Sequence, residues 1–460
     1  MLHQFEVEDN VYSVVADLQH AGYETYIVGG AIRDLLKNRP PKDYDISTAA
    51  TPEEIKEVFG RRRARIIGRR FQLVHVRCGS ELFEVSTFRR APEEKRHEPQ
   101  TPGARKIAEL EEAGNMIFND NDFGTAEEDA WRRDFTVNAL FYDPVADELI
   151  DYTGQGLKDI ENGLIRAIGD AKLRFEEDPV RMLRALKLVG QYGFTLEAET
   201  QKALRSTLPL LELSSVSRLS LELEKVLNSN YAGSIMQAFA DYKLLPHFLP
   251  NLTDTANKTL LDQALALLKK RDQRVLAGYY RNSASVAMAT LALPFINHAL
   301  GDMPPVDGNP VFRDEDELRH QLLKLYAPLA IIKRLSCSAC RMLELQPLFF
   351  SNISPRKLMR NRGFAHAMEL FKIQCDADYL ECSSEIITKW RDAIINAGGV
   401  NRNHSDAEDN SEEYSQSRRR RRRGKRRNNR NHHADLNRES AEKLIHQEIA
   451  AASEDLQLGF

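Results

Sequence analysis

Two consecutive glycines, Gly29 and Gly30, separate a short apolar run from a helical pattern near the start of the chain. Residues 26–28 predict a strand, and residues 31–37 predict a helix. Glycines at such a junction let the backbone turn tightly and approach a ligand closely. The helix that follows points free N–H groups toward that ligand, and Arg33 in its first turn supplies guanidinium donors for a phosphate. This junction therefore predicts a unit of mixed α and β structure with an anion-binding turn.

Two aspartates, Asp43 and Asp45, follow the glycines in a second predicted strand over residues 43–46. Residues two apart on a strand share a face, so we expect both carboxylates to point the same way and Tyr44 to point away. Parallel carboxylates repel each other unless a cation lies between them, and their hard oxygen ligands suit Mg²⁺. A glycine pair alone is usually a turn, and an Asp-x-Asp alone is usually a solvated loop. Their order within seventeen residues favours phosphoryl or nucleotidyl transfer.

Helix and strand signals alternate through the rest of the first 90 residues. Residues 51–54 contain a capping box and a proline at the first helical position, which predicts a helix through Phe59. Two β-rich runs, 71–78 and 82–88, are separated by Gly79-Ser80 and predict a hairpin. This part of the chain therefore predicts a small mixed sheet with a few helices.

The remainder of the chain has a mostly helical pattern. Residues 90–122 are polar and contain prolines, which predicts a mobile insertion. From Ala126 to about Ala397, apolar residues recur at three- and four-residue spacing. Residues 400–433 have few apolar side chains and predict disorder. We therefore expect the α+β class: an N-terminal head with a small mixed β-sheet and helices, then all-α neck and body domains, then a disordered basic tail.

The composition, with 42% hydrophobic and 29% charged residues, is that of an ordinary soluble protein. The longest apolar stretch, residues 285–300, contains Pro294 and His298 and is too short to span a bilayer. The N-terminus lacks the basic and apolar segments of a signal peptide. We expect a cytoplasmic protein with no transmembrane segment.

The glycine pair followed by Asp-x-Asp resembles the signature of the nucleotidyltransferase superfamily. The longer match, Gly29-Gly30-x-x-Arg33-Asp34 with the acidic pair nine residues on, resembles its class II branch, the tRNA nucleotidyltransferase/poly(A) polymerase family. The resemblance implies a nucleotidyltransferase catalytic head over residues 10–165 and a helical neck over 166–245 that binds nucleotide and RNA. It also implies an RNA-binding helical body over 246–400, before the basic tail at 401–460.

Two later motifs occur in the order that this branch requires. Arg132-Arg133-Asp134 resembles the motif that contacts the incoming nucleotide, which implies that the arginines hold the triphosphate and Asp134 positions the ribose or the 3′-hydroxyl. Residues 177–181 with Arg184 resemble the motif that reads the base. Asp178 and Arg181 are three apart on a predicted helix, so they share a face and offer acceptors and donors to a base edge. A simpler alternative is that both motifs form ion pairs that join helices.

The resemblance also calls for a third acidic residue at the metal site. Glu84 shares a strand face with Leu82 and Ser86, opposite Phe83 and Val85, and is one candidate. Asp134 is the other, and the sequence leaves the choice open. Together with Asp43 and Asp45, this residue would complete a site for two Mg²⁺ ions.

Residues 66–76, which contain Gly68-Arg69-Arg70, resemble the signature that separates bacterial poly(A) polymerases from CCA-adding relatives. The resemblance implies that ATP is the substrate and that AMP is added to RNA 3′ ends without a template, in mRNA processing and decay. It also implies partners among RNA-decay proteins. A CCA-adding tRNA nucleotidyltransferase is the alternative, and a non-catalytic RNA-binding adaptor is a third hypothesis.

The formal net charge of −4 conceals a cluster of ten cations within thirteen residues. Without that cluster the chain has 54 basic and 68 acidic residues, so an acidic protein carries one concentrated basic segment. Such segments usually bind polyanions, and we expect this one to bind the RNA backbone with little sequence preference. Its members are Arg418, Arg419, Arg420, Arg421, Arg422, Arg423, Lys425, Arg426, Arg427 and Arg430.

The five cysteines do not suggest a disulfide framework, because their number is odd and the chain is long. Cys337 and Cys340 have metal-ligand spacing, but their segment has a helical pattern and no second C-x-x-C exists. We predict buried, reduced thiols rather than a zinc site.

Overall fold

The computed structural model describes residues 5–68, 72–90, 123–254, 257–301, 312–379 and 384–396. The basic tail, Arg69, Arg70 and residues 91–122 of the predicted insertion lie outside these residues. Within the described ranges, no helix has the length and apolar character needed to cross a membrane.

Seven strands form one mixed sheet in the N-terminal head, in the spatial order β3-β4-β5-β2-β1-β6-β7. The neighbours β2 and β5 are parallel, and the other neighbouring strands are antiparallel. The strands β1 to β7 are Thr25–Val28, Asp45–Thr48, Ala64–Ile67, Leu73–Cys78, Glu81–Thr87, Phe141–Asp143 and Glu148–Ile150. A second, two-stranded parallel sheet consists of β8 (Leu164–Ile165) and β9 (Thr195–Leu196).

In the first 90 residues, the elements predicted from the glycine pair, the capping box and the hairpin signal are present in the structure. The glycine pair stands between β1 and the helix α2 (Gly30–Leu36). The helix α3 (Pro52–Arg63) begins with a capping box, in which the Glu54 carboxylate accepts the Thr51 N–H at 2.7 Å. Gly60, with φ of 72°, interrupts its helical backbone directly after Phe59. The strands β4 and β5 form the predicted hairpin.

The mostly helical pattern after Ala126 did not predict β6 and β7, which complete the head sheet. These strands have three residues each, which is too short to produce an alternating apolar pattern. They form because Phe141 and Tyr142 of β6 pair with β1, and β7 pairs with β6. The second predicted strand begins two residues later than expected, since β2 begins at Asp45 and Asp43 precedes it.

The helices of the head and of the helical region agree with the predicted periodicity. The helix Glu315–Tyr326 ends before Ala327, which precedes Pro328 and has an extended backbone. The remaining helices, α1 and α4 to α18, are Asp9–His20, Ala126–Trp131, Gly156–Asn162, Ala171–Glu177, Val180–Tyr192, Ala198–Thr207, Val216–Leu227, Ala232–Asp241, Leu245–Phe248, Lys258–Leu276, Ala284–Leu300, Glu315–Tyr326, Lys333–Leu345, Pro355–Leu358, Phe364–Asp376 and Ser384–Asn396.

Helices of the body contain the longest apolar stretch and two of the cysteines. The longest apolar stretch forms α13, whose residues from Val286 to Asn297 are buried. Cys337 and Cys340 lie in α15, and Cys78, Cys337, Cys340 and Cys375 are free thiols. Burial raises the pKa of the Cys340 thiol to about 12, so this thiol is unreactive at neutral pH. The domain limits at residues 165, 245 and 400 stay predictions.

The two faces of the head sheet differ in how they are covered. On one face, residues such as Ile46 and Val85 join the main apolar core. On the other face, Val28 and Phe141 of β1 and β6 pack against Ala130 of α4. Farther along this second face, the strands β2, β5, β4 and β3 present polar side chains to solvent. This second face is therefore covered at β1 and β6 and open to solvent over β2, β5, β4 and β3. We call the uncovered part of this face the open floor.

Candidate active site

The glycine turn brings Gly29 next to both an acidic and a basic side chain. Gly29 has φ of 77°, and its N–H donates to the Leu140 carbonyl oxygen at 3.2 Å. A Cβ at this position would lie 3.2 Å from Arg133 Nη1 and 4.0 Å from Asp45 Oδ2. The missing side chain therefore leaves a space bordered by a cation and a carboxylate, which suits a phosphate group that is bound together with a metal ion.

The predicted acidic residues lie on two neighbouring strands: Asp43 and Asp45 at the start of β2, and Glu84 on β5. Asp43 and Asp45 are exposed and Tyr44 between them is buried, as expected for carboxylates that point away from the core. Glu84 is the Cα partner of Asp45 across the parallel strands. Partial desolvation and repulsion from Asp43 raise the pKa of Asp45; Arg133 opposes this rise and Glu84 adds to it.

This acidic group fits a divalent cation chemically, because its negative charges repel each other and its donors are hard oxygens. Within the described ranges, no three His, Cys, Asp or Glu side chains are grouped closely enough to form a complete metal site. Asp43 and Asp45 are therefore the candidate ligands, with Glu84 adjacent to them. Asp134 lies in a different cluster, which favours Glu84 as the third acidic residue.

Asp129 is a site residue that the sequence analysis missed. Its buried carboxylate accepts from Arg132 Nε at 2.9 Å and from Arg133 Nη2 at 2.8 Å. Burial alone would raise the pKa of Asp129, but Arg133 and Arg132 lower it below 3.8. Arg133 also donates to Ser47 Oγ at 3.4 Å. The signal was present in the sequence, because Asp129 precedes the two arginines by three and four residues.

Arg33 lies below the glycine turn and is buried. Its guanidinium donates to the Asn138 side chain, to the Tyr192 hydroxyl at 2.7 Å and to Asp34 at 3.0 Å. A Cβ on Gly30 would lie 3.2 Å from Arg33 Nη2, so the second glycine makes room for this side chain. These contacts occupy the guanidinium donors that were predicted to bind a triphosphate. In this structure Arg33 connects the glycine turn to α7.

Asp134 and the predicted base-reading residues form an ion-pair cluster. Asp134 accepts from Arg181 Nε at 2.9 Å and from Arg184 Nη1 at 2.6 Å. Arg174 connects this cluster to the arginine pair, since its Nη2 donates to the carbonyl oxygen of Arg132 at 2.6 Å. In the described residues these two motifs therefore form ion pairs between elements, as the simpler alternative to nucleotide binding predicts. The ion pairs lie close to the candidate active site.

The prediction that Asp178 and Arg181 share a helix face is wrong. Asp178 lies between α6 and α7 with an extended backbone, because the residue before a proline, here Pro179, disfavours helix. Its carboxylate accepts from Arg218 Nη2 at 2.8 Å and from the Val180 N–H at 3.2 Å. Asp178 and Arg184 nevertheless lie near each other, with 3.9 Å between Oδ2 and Nη2.

Two family models match the chain. The poly A polymerase head domain matches residues 25–166, and a model described as a probable RNA- and SrmB-binding site of polymerase A matches residues 193–255. The first match includes the glycine turn, the acidic residues and the arginine pair.

Relatives and solved structures agree with these matches. Poly(A) polymerase I of Escherichia coli O6:H1 is 31% identical over 85% of this chain and 83% of its own length. A CCA-adding enzyme of a Geobacillus species is 37% identical over 57% of this chain and 60% of its own length. The crystal structure of the Bacillus stearothermophilus CCA-adding enzyme with CTP superposes with a TM-score of 0.56 at 25% identity, covering 84% of this chain and 82% of that one. The chain belongs to the tRNA nucleotidyltransferase/poly(A) polymerase family of nucleotidyltransferases.

Proposed function

We propose that this protein adds AMP from ATP to RNA 3′ ends, without a template and with release of pyrophosphate. Within the family, one observation favours a poly(A) polymerase over a CCA-adding enzyme. The similarity to a poly(A) polymerase extends over 83% of that relative, whereas the similarity to a CCA-adding enzyme covers 60% of that one. Residues 66–76, with their resemblance to the poly(A) polymerase signature, support the same choice.

The geometry supports a division of roles in the head. Asp43 and Asp45, with Glu84 beside them, would hold two Mg²⁺ ions. When bound, the ions would lower the pKa of the 3′-hydroxyl and stabilise the charge on the α-phosphate and the departing pyrophosphate. Gly29 leaves room for the triphosphate, and Arg133, fixed by Asp129, directs a guanidinium toward that space. Holding the arginine in place before the substrate binds reduces the reorganisation that the reaction requires.

Base selection would fall to the cluster around Asp134. Arg184 has the most exposed side chain among the arginines that contact Asp134. An adenine edge approaching this cluster would meet guanidinium donors and the Asp178 carboxylate, whose positions are set by the ion pairs. The protein itself would then choose the base. The match to an RNA- and SrmB-binding model over 193–255 supports RNA as a partner and leaves room for protein partners in RNA decay.

The decisive experiment incubates purified full-length protein with a generic RNA, Mg²⁺ and each labelled nucleotide separately. We expect long extension with ATP and little with CTP, GTP or UTP. Incorporation of CMP and then AMP only on a tRNA that lacks its CCA end would identify the alternative, a CCA-adding enzyme, which the solved relative with bound CTP favours. RNA binding without incorporation of any nucleotide would support an adaptor.

A further inference from the structure

The open floor of the head sheet carries a row of polar residues that leads away from the candidate metal site. Arg65, His75, Glu84 and Asp45 are successive Cα partners across β3, β4, β5 and β2. Directly paired residues in neighbouring strands project to the same face. The row therefore places two basic residues beyond the acidic group, on the side opposite to Gly29.

A third basic residue joins this surface. Arg77 lies two residues from His75 on β4, and alternation along a strand puts both on the same face. Arg65 and Arg77 are exposed, and neither makes an ion pair within the part of the chain that the structure describes. The adjacent Leu82 and Ile67 expose 53% and 36% of their surface. We name Arg65, His75 and Arg77 the sheet ledge.

The position of the sheet ledge decides what it can bind. Nucleotidyl transfer brings two anionic substrates to one site, and they cannot occupy the same volume. The space between Gly29 and Arg133 lies on the β1 side of Asp45. The ledge lies on the β5 side, and Arg65 is three strand spacings, or roughly 14 Å, from Asp45. This distance suits the nucleotides that precede a 3′ end held at the carboxylates.

We propose that the sheet ledge binds the sugar-phosphate backbone of the RNA strand just upstream of its 3′ end, with Arg65 and Arg77 as its phosphate contacts. This inference rests on the proposed nucleotidyl transfer to RNA. Arginine is a common phosphate-binding residue and positions a strand without reading its sequence. The ledge therefore serves a polymerase that extends RNAs of unrelated sequence, and it holds the 3′-hydroxyl near Asp45.

The test uses full-length protein with Arg65→Gln, Arg77→Gln and the double substitution. Lys56→Gln is the matched control, because Lys56 lies on α3, whose Ile55 and Phe59 pack against the covered face of the sheet. We expect KM for an RNA oligonucleotide to rise about two- to fivefold for each arginine, with kcat and KM for ATP unchanged. The log–log salt slope of RNA affinity should fall by about 0.7 for each lost phosphate contact.

Two outcomes would overturn the proposal. A rise in KM for ATP with an unchanged KM for RNA would assign the ledge to the triphosphate. Values equal to those of Lys56→Gln would show that the ledge contacts neither substrate. The wild-type protein in the same assay tests the proposed function separately, through the nucleotide that it incorporates. If it incorporates none, the salt slope still reports whether the ledge binds RNA.

Discussion

Asp45 and Glu84 are Cα partners on the parallel strands β2 and β5, so their carboxylates stand side by side on the open face of the head sheet. Desolvation and repulsion from Asp43 are the main causes of the raised pKa of Asp45, and Glu84 adds to them. A native fold that keeps neighbouring acidic residues on one face of a sheet is stabilised when a cation binds there.

Asp45→Asn should abolish nucleotide incorporation and leave RNA binding nearly intact, and Asp43→Ala should do the same. Each change removes a charged ligand, and metal stabilisation of the transition state is worth several kcal/mol, or roughly a thousandfold in rate. Primer extension measures the rate, and filter binding measures the affinity for RNA. Residual extension near the wild-type rate in either variant would end the assignment of these aspartates to the metal.

Glu84→Gln should give a partial defect that added Mg²⁺ reduces. Glu84 is adjacent to Asp45, and its loss weakens metal binding without removing either principal ligand. We expect the Mg²⁺ concentration for half-maximal extension to rise roughly tenfold, as is common when groups around a metal site are changed. Glu57→Gln is the control, because Glu57 is exposed on α3. An unchanged Mg²⁺ titration would remove Glu84 from the metal site.

Gly29→Ala should reduce catalysis much more than Gly22→Ala. Both glycines have positive φ, at 77° and 93°, so each alanine introduces backbone strain of about 1–2 kcal/mol. Only at Gly29 does the new Cβ approach site atoms, 3.2 Å from Arg133 Nη1, whereas Gly22 has open space. We expect KM for ATP to rise at least tenfold in Gly29→Ala alone. Equal kinetics in the two variants would mean that the space at Gly29 is not used by the substrate.

Local signals explain why much of the head could be predicted from the sequence. The glycine turn, the capping box at Thr51 and the hairpin at Gly79 each depend on a few neighbouring residues. The strands β6 and β7 could not be predicted in this way, because these three-residue strands form only when β6 pairs with β1 and β7 pairs with β6. These two segments are strands because of their tertiary contacts and not because of their own sequence pattern.

The candidate site shows the same limit. The order of the motifs indicated which residues lie near the candidate site, but not which partners they take. The Arg33 guanidinium is chemically suited to bind a phosphate. It donates instead to the side chains of Asn138 and Tyr192, which lie more than a hundred residues further along the chain. Asp178 could have been placed correctly, since Pro179 directly follows it and disfavours helix at that residue.

Replacing the tail cations with glutamine should weaken RNA affinity and flatten its salt dependence. The segment from Arg418 to Arg430 carries ten positive charges, and each phosphate contact contributes about −0.7 to the log–log slope for single strands. A substituted tail is preferable to truncation after about Asn410, because it keeps the chain length. Fluorescence anisotropy over a range of salt concentrations measures the slope. An unchanged slope would show that the tail does not contact RNA.

Asp134→Asn should destabilise the fold at neutral pH and lose that effect in acid. Burial alone would raise the pKa of Asp134, but Arg184 and Arg181 outweigh burial and hold the pKa below 3.8. A depressed carboxyl pKa stabilises the folded state above the unfolded value of 3.8, and this contribution is lost as the pH falls through the folded value. The substitution also removes one of the two carboxylates that contact Arg181, whose side chain is 8% exposed. Because Glu177 Oε2 stays 2.9 Å from Arg181 Nη1, we expect a cost of about 1.5–3 kcal/mol.

Thermal unfolding of both proteins between pH 7 and pH 3 tests this expectation. The Tm of the variant should be several degrees lower at pH 7, and the difference should shrink as the pH falls below 3.8 toward the lower pKa of Asp134 in the folded protein. Asp262→Asn, at an exposed position of α12, should leave Tm unchanged throughout. If Asp134 acted only on a bound ribose, its substitution would reduce kcat while the Tm matched this control at every pH. The pH dependence of Tm therefore separates an ion-pair role from a purely substrate-binding role.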